Sequence, residues 1–222
     1  MLSKPDTQFA FVFAVLLMAE LICGTIETLA FWHHITKPLL LISLLFYFLS
    51  QSKHLGTKTQ SLTVLALMFS LAGDILLLFD TQSDLYFILG LISFLMAHLM
   101  YSVVFYKRRN PKINPIVLIG ILALYTFGFL SILKKGLNDL LIPVIIYMVV
   151  ILIMVITSYL RRYNVPKYSF ILVFNGALLF VISDSILALH KFYMAIPFAS
   201  IFVMLTYGLA QYFIVLGLLK QR

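Results

Sequence analysis

The chain has 222 residues, 63% of them hydrophobic and only 11% charged, with a formal net charge of +8 and a mean hydropathy of +1.07. A soluble domain carries roughly 25% charged residues, so this chain lacks the polar surface needed to face water. The same lack of a soluble basic face argues against nucleic acid as the reason for the positive charge. Backbone groups in lipid have no water partners, so each span must be a helix or part of a closed barrel. The apolar runs here are continuous over 16 to 25 residues, not alternating, which excludes a barrel. The expected fold class is all-α, a polytopic membrane protein of about eight transmembrane helices, folded as a single membrane domain over residues 1–222.

The first apolar run is Phe9–Leu29. It is too long for a signal peptide, holds Glu20 and Glu27, and shows no small-residue cleavage pattern. The two glutamates are seven residues apart, two helical turns, and are expected on one face. The lone cysteine, Cys23, permits no internal disulfide and no cysteine metal site. The second run, Ile35–Ser50, opens with Lys37-Pro38, and the third, Leu62–Phe79, carries Gly73-Asp74. The fourth, Leu85–Tyr106, places His98 and Tyr101 three residues apart on one face. Runs five and six, Pro115–Leu133 and Leu141–Leu160, are almost wholly apolar. The seventh, Ser169–Leu189, carries Ser183-Asp184, and the eighth, Ala195–Leu219, carries Tyr207 and Gln211 on one face. The connections are short, and none is long enough to fold as a soluble domain.

Threading eight spans in order separates the bases. Lys4, Lys53, Lys58, Lys107, Arg108, Arg109, Lys112, Arg161, Arg162, Lys167, Lys220 and Arg222 fall on one side, and Lys37, Lys134, Lys135 and Lys191 on the other. The positive-inside rule puts the larger group, and both termini, in the cytoplasm. The basic flanks then serve as anchors toward anionic lipid head groups, so membrane lipids are the expected partners and no protein partner is indicated.

The informative residues are polar ones at membrane depth. Of eight acids, Glu20, Glu27, Asp74 and Asp184 fall within predicted spans. A carboxylate at a helix centre costs about 2.5–3.5 kcal/mol on insertion scales, so it faces a bundle interior or a wet cavity. Threading puts Asp74, Asp184 and Lys37 at one depth in the outer half, the composition of a polar pocket. His98, Tyr101, Tyr207 and Gln211 are expected to continue its lining inward, with Glu20 and Ser183 as further contacts. Asp184 follows Asp74 by 110 residues, and Gln211 follows Tyr101 by the same interval. That spacing suggests two parallel four-helix halves.

These motifs resemble the lysoplasmalogenase family, the YhhN-like membrane proteins. The resemblance rests on Lys37-Pro38, Ser70-x-x-Gly73-Asp74, and Gly90 through Phe94-x-x-x-His98-x-x-Tyr101. It continues in Gly176-Ala177-x-x-Phe180-x-x-Ser183-Asp184 and Thr206-Tyr207-x-x-x-Gln211. The resemblance implies an eight-helix hydrolase that takes a lysophospholipid, cleaving the vinyl-ether bond of lysoplasmalogens. Fatty aldehyde and glycerophosphoethanolamine or glycerophosphocholine would be the products. Vinyl ethers yield to acid: protonating the outer alkene carbon gives an oxocarbenium ion that water captures. Two carboxyls in an apolar pocket fit this division, because desolvation and mutual repulsion favour one proton between them. Asp74 and Asp184 are the expected pair, with Lys37 toward the lipid phosphate. The chemistry calls for no metal and no cofactor. The histidines show no zinc-hydrolase spacing and no Gly-x-Ser-x-Gly element is present.

A different class of function stays open on the residues alone. A proton- or ion-coupled secondary transporter would use the same carboxylates, although prolines at span starts, Pro38 among them, argue for a static pocket. The expected location is the cytoplasmic membrane of a bacterium or the endoplasmic reticulum of a eukaryote.

Overall fold

The computed structural model describes residues 3–221; Arg222, one of the bases assigned to the cytoplasmic side, lies outside them. Among the described residues the regular structure is helical. Eight helices are long and apolar enough to cross a membrane. They are α1 Lys4–Cys23, α2 Ala30–Gln51, α3 Thr57–Leu77, α4 Asp84–Tyr106, α5 Ile116–Leu137, α6 Leu141–Tyr159, α7 Lys167–Phe192 and α8 Ala199–Leu219. The chain is an integral, multi-pass membrane protein. It divides into two compact units, Met1–Met100 and Tyr101–Arg222, and the division cuts α4 near its C-terminal end instead of falling in the loop after it.

In the first unit α2 packs against both α1 and α3. The start of α1 is fixed by a capping box, in which Ser3 and Asp6 satisfy each other's backbone N–H groups. Asp6 is buried as well, and Tyr47 of α2 donates to its carboxylate at 2.7 Å. This acid was not among those expected at membrane depth. The first helix ends at Cys23, capped by Gly24, and not at Leu29 as the apolar run suggested. Glu27 therefore leaves α1 and sits exposed in a 3₁₀ turn, Glu27–Leu29, at the start of the second candidate span, Glu27–His54. The face shared by Glu20 and Glu27 does not form, because the helix stops between them. The second helix starts at Ala30, five residues before the expected Ile35. Pro38 consequently lies inside α2, in its third turn, and not at its start. A proline there withholds a helix hydrogen bond from the carbonyl one turn earlier.

In the second unit α7 and α8 form the most extensive helix pair. Small residues allow the close approach. A Cβ on Gly176 would meet the Ala210 carbonyl at 2.9 Å, and one on Gly217 would meet the Ser169 carbonyl at 3.1 Å. Two hydroxyls cross the same seam: Ser169 donates to the Gly217 carbonyl at 2.6 Å and Ser183 to that of Val203 at 3.0 Å. A satellite apolar cluster of Leu133, Leu137, Val144 and Met148 joins α5 to α6 and is covered by Ala188, Leu189 and Phe192 of α7. The fifth helix runs on to Leu137, past the expected end at Leu133, and α8 begins at Ala199 instead of Ala195. Pro197 lies in the connection before it, and Phe198 caps it in the left-handed region at φ 57°.

Candidate functional site

Each unit holds its own set of buried polar groups. In the first, Asp74 occupies the last turn of α3 and is 1% exposed. The preceding Gly73 lies flat against the ring of Phe94 from α4. A Cβ at that position would be 2.8 Å from the ring, so the glycine is what lets α3 and α4 close up beside the carboxyl. Gly90 makes the reciprocal contact with Leu77, at 2.9 Å. Ser70, one turn earlier, and His98 on α4 are both fully buried. Lys37 on α2 is 8% exposed. Its long stem can follow apolar surface while the ammonium seeks polar company.

Glu20 is fully buried on α1 and held from α2. The Thr36 hydroxyl donates to one carboxylate oxygen at 2.5 Å, and Nδ1 of His33 lies 3.0 Å from the other. Gly24 leaves room for that imidazole, since a Cβ there would stand 3.1 Å from its Nδ1. His33 escaped the reading of the sequence because the second helix was expected to begin after it. With the helix starting at Ala30, His33 and Thr36 lie three apart, on one face toward α1.

The second unit presents Asp184 on α7. It is half-buried, and Tyr147 of α6 donates to its Oδ2 at 2.7 Å. The neighbouring Ser185 hydroxyl donates to the Val181 carbonyl, and Tyr125 of α5 in turn donates to Ser185 at 2.5 Å. Helices α5, α6 and α7 therefore converge through hydroxyls on one stretch of α7. Tyr147 and Tyr125 were missed because a tyrosine in an apolar span carries no charge and matches core aromatics elsewhere. Ser183, expected as a substrate contact, is 1% exposed and spends its proton on Val203. Tyr101 and Gln211, expected on the same lining, are joined directly: the phenol donates to the amide oxygen at 2.7 Å. Both are fully buried. Phe180 lies beside this pair, with Tyr207 edge-on to its ring at 5.7 Å and Tyr101 at 6.4 Å.

Each of the two units thus carries its buried polar groups on membrane-length helices, in a chain of eight spans among the described residues. Comparison with known proteins decides the family. The model of the YhhN family matches residues 32–218. The chain belongs to the YhhN family. Glu20 lies before the matched region, whereas Lys37, Asp74, His98, Tyr101, Ser183, Asp184, Tyr207 and Gln211 lie inside it. Among its relatives are the proteins named lysoplasmalogenase TMEM86A from Homo sapiens and from Bos taurus. Each is 27% identical over 157 residues, covering 70% of this chain and 64% of the relative. The match therefore spans less than two thirds of either relative's length. No solved structure matches the chain.

Proposed function

We propose that this YhhN-family chain hydrolyses the vinyl-ether bond of lysoplasmalogens. The reading is carried by Asp184, an intramembrane carboxylate already held by a tyrosine, in a chain whose relatives are named for this reaction. Nothing in a purely structural role requires an acid there, since insertion of a carboxylate is costly.

Asp74 and Asp184 divide the work. Asp74, the fully buried carboxyl, delivers a proton to the outer alkene carbon of the vinyl ether. The electron pair of the double bond forms the new C–H bond, leaving an oxocarbenium ion at the inner carbon. Asp184 is half-buried, less enclosed than Asp74. It takes the proton of the water that adds to the cation. The resulting hemiacetal collapses, its C–O bond to the glycerol breaking as the hydroxyl loses its proton. Fatty aldehyde and glycerophospho-alcohol leave as the hydroxyl proton passes to Asp74 and the proton held by Asp184 passes to the departing glycerol oxygen, so both carboxyls regain their starting states. Such acid–base help contributes roughly 10²–10⁴-fold. Lys37 offers a point charge to the lipid phosphate. The Tyr101–Gln211 pair, Tyr207 and His98 order the polar end of the substrate.

The test uses purified full-length chain in detergent with a lysoplasmalogen and with its saturated ether analogue. Aldehyde is expected from the first alone, because only the vinyl ether forms a stabilised cation on protonation. Folded protein that releases none overturns the reading. Proton or ion flux in vesicles would then be measured, since Pro38 inside α2 provides the interrupted helix a coupled carrier would use.

A further inference from the structure

A second site lies away from Asp184, where α6 turns into α7. Tyr159, Arg162, Tyr163, Val165, Lys167, Phe170, Ile171 and Phe174 enclose a cavity of about 570 Å³. That is within the range of sites for small ligands, roughly 300–1,000 Å³. No carboxylate lines it, while two cations do. Lys167 opens α7, whose cap residue Pro166 offers no side-chain acceptor, so the first N–H groups of the helix add to the positive end. Below the cations the wall becomes aromatic: Phe170 and Phe174 stack at 5.7 Å and Tyr159 meets Phe174 at 5.8 Å. Seven residues separate Lys167 from Phe174, about 10 Å along the helix. The cavity is therefore cationic at its mouth and apolar along its length, and its lining is amphipathic in the way a membrane lipid is.

The turn is built to hold this shape. Tyr163 stands in the left-handed region at φ 62°, an uncommon conformation for an aromatic residue that persists only where its surroundings impose it. The Arg162 guanidinium lies 4.7 Å above the Tyr163 ring. The loop after α4 fastens the turn from behind: Asn110 donates its N–H to the Leu160 carbonyl at 2.7 Å, and Asn164 donates to the Arg108 carbonyl at 3.0 Å. Arg161, fully buried at the same turn, donates to Ser169 and Gln221, while its Nε and Nη1 find no acceptor. Burial, with Arg108 as a second cause, pushes this guanidinium down to about 9. The turn is thus under-neutralised, and its field favours an anion.

We propose that this cavity binds an anionic glycerophospholipid of the leaflet at this end, its phosphate between Arg162 and Lys167 and an acyl chain along Phe170 and Phe174. The positive-inside count makes that leaflet the cytoplasmic one, where anionic lipids concentrate. Asp184 is 17 residues further along α7 than Lys167, about 25 Å at the helical rise. The lipid site is accordingly separate from Asp184 and does not depend on the proposed chemistry.

The experiment titrates the detergent-solubilised full chain with phosphatidylglycerol, phosphatidylcholine or inorganic phosphate, reading bound lipid by native mass spectrometry and the melting temperature in parallel. Phosphatidylglycerol is expected to bind and to raise the melting temperature by several degrees; phosphatidylcholine and phosphate are not. The double variant Arg162→Gln/Lys167→Gln, at exposed positions, is expected to weaken phosphatidylglycerol binding about tenfold or more. Lys107→Gln/Lys112→Gln removes the same charge from the neighbouring loop and is expected to leave binding within twofold. Equal losses in the two double variants would show diffuse attraction and overturn the site. So would wild-type binding by the Arg162/Lys167 variant, or an equal response to phosphatidylcholine. A shift reproduced by inorganic phosphate would overturn the lipid and assign the cavity to the free anion. If the Arg162/Lys167 variant melts early without lipid, Phe174→Leu decides instead, keeping both charges: unchanged affinity would overturn the acyl-chain contact.

Discussion

Asp74 and Asp184 follow small residues, Gly73 and Ser183, in similar apolar stretches, yet the fold treats them differently. Asp74 sits three residues from the end of α3, 1% exposed, behind a glycine pressed on the Phe94 ring. Asp184 sits about two turns inside α7, half-buried, with a phenol from α6 on its carboxylate. Gly73 and the Phe94 ring shape the surroundings of Asp74, and the Tyr147 phenol holds Asp184. Similar motifs in sequence therefore specify where a carboxyl is, and its neighbours decide what it can do. The more enclosed acid suits proton delivery to carbon; the less enclosed one suits activation of water.

The largest effect expected is on the acids themselves. Asp74→Asn and Asp184→Asn should each lower aldehyde release by roughly 10²–10⁴-fold while the protein still folds. Added formate should restore about tenfold in Asp184→Asn, the less enclosed position, and nothing in Asp74→Asn. Equal rescue of both would erase the distinction drawn between them. Next comes the shape that places Asp74. Gly73→Ala drives a methyl into the Phe94 ring and should cost about 1–3 kcal/mol, measured by thermal melting in detergent, with turnover falling alongside. A Gly73→Ala protein as stable and active as wild type would show that packing does not position this carboxyl. Smaller again is the hydrogen bond on Asp184. Tyr147→Phe removes one donor worth about 1 kcal/mol, so kcat should drop by roughly fivefold with fold stability nearly unchanged. The smallest effect is a control in the second unit. A methyl on Gly128 meets nothing within 4 Å, so Gly128→Ala should leave turnover alone and raise stability by no more than about 1 kcal/mol.

Eight helices were legible because sustained apolar runs have one solution in lipid. Their ends were less so. The apolar run from Phe9 to Leu29 passes straight through Gly24, and hydropathy does not register the cap that stops α1 there. That misplacement put Glu27 on the face of Glu20 and, with the second helix expected only from Ile35, left His33 in a connection, so the partners of Glu20 could not be read. The carboxyls and Lys37 were found because charge in an apolar run is conspicuous. Tyr147, Tyr125 and Thr36 were not found, because a hydroxyl on an apolar side chain leaves no mark until a neighbouring helix brings it an acceptor. The spacing that linked Tyr101 with Gln211 as equivalent positions also joins two residues that touch.

The seam between α7 and α8 has a consequence for how the protein is made. Ser169 and Ser183 tie α7 to α8 at points 14 residues apart, about 21 Å of helix, with Gly176 and Gly217 letting the backbones meet between and beside them. All of these contacts join two helices that are neighbours in the chain, linked by a connection of a few residues. The hairpin can therefore zip as it leaves the insertion machinery, without waiting for distant spans. The two serine hydroxyls, satisfied within the hairpin, would enter the bilayer already shielded from lipid.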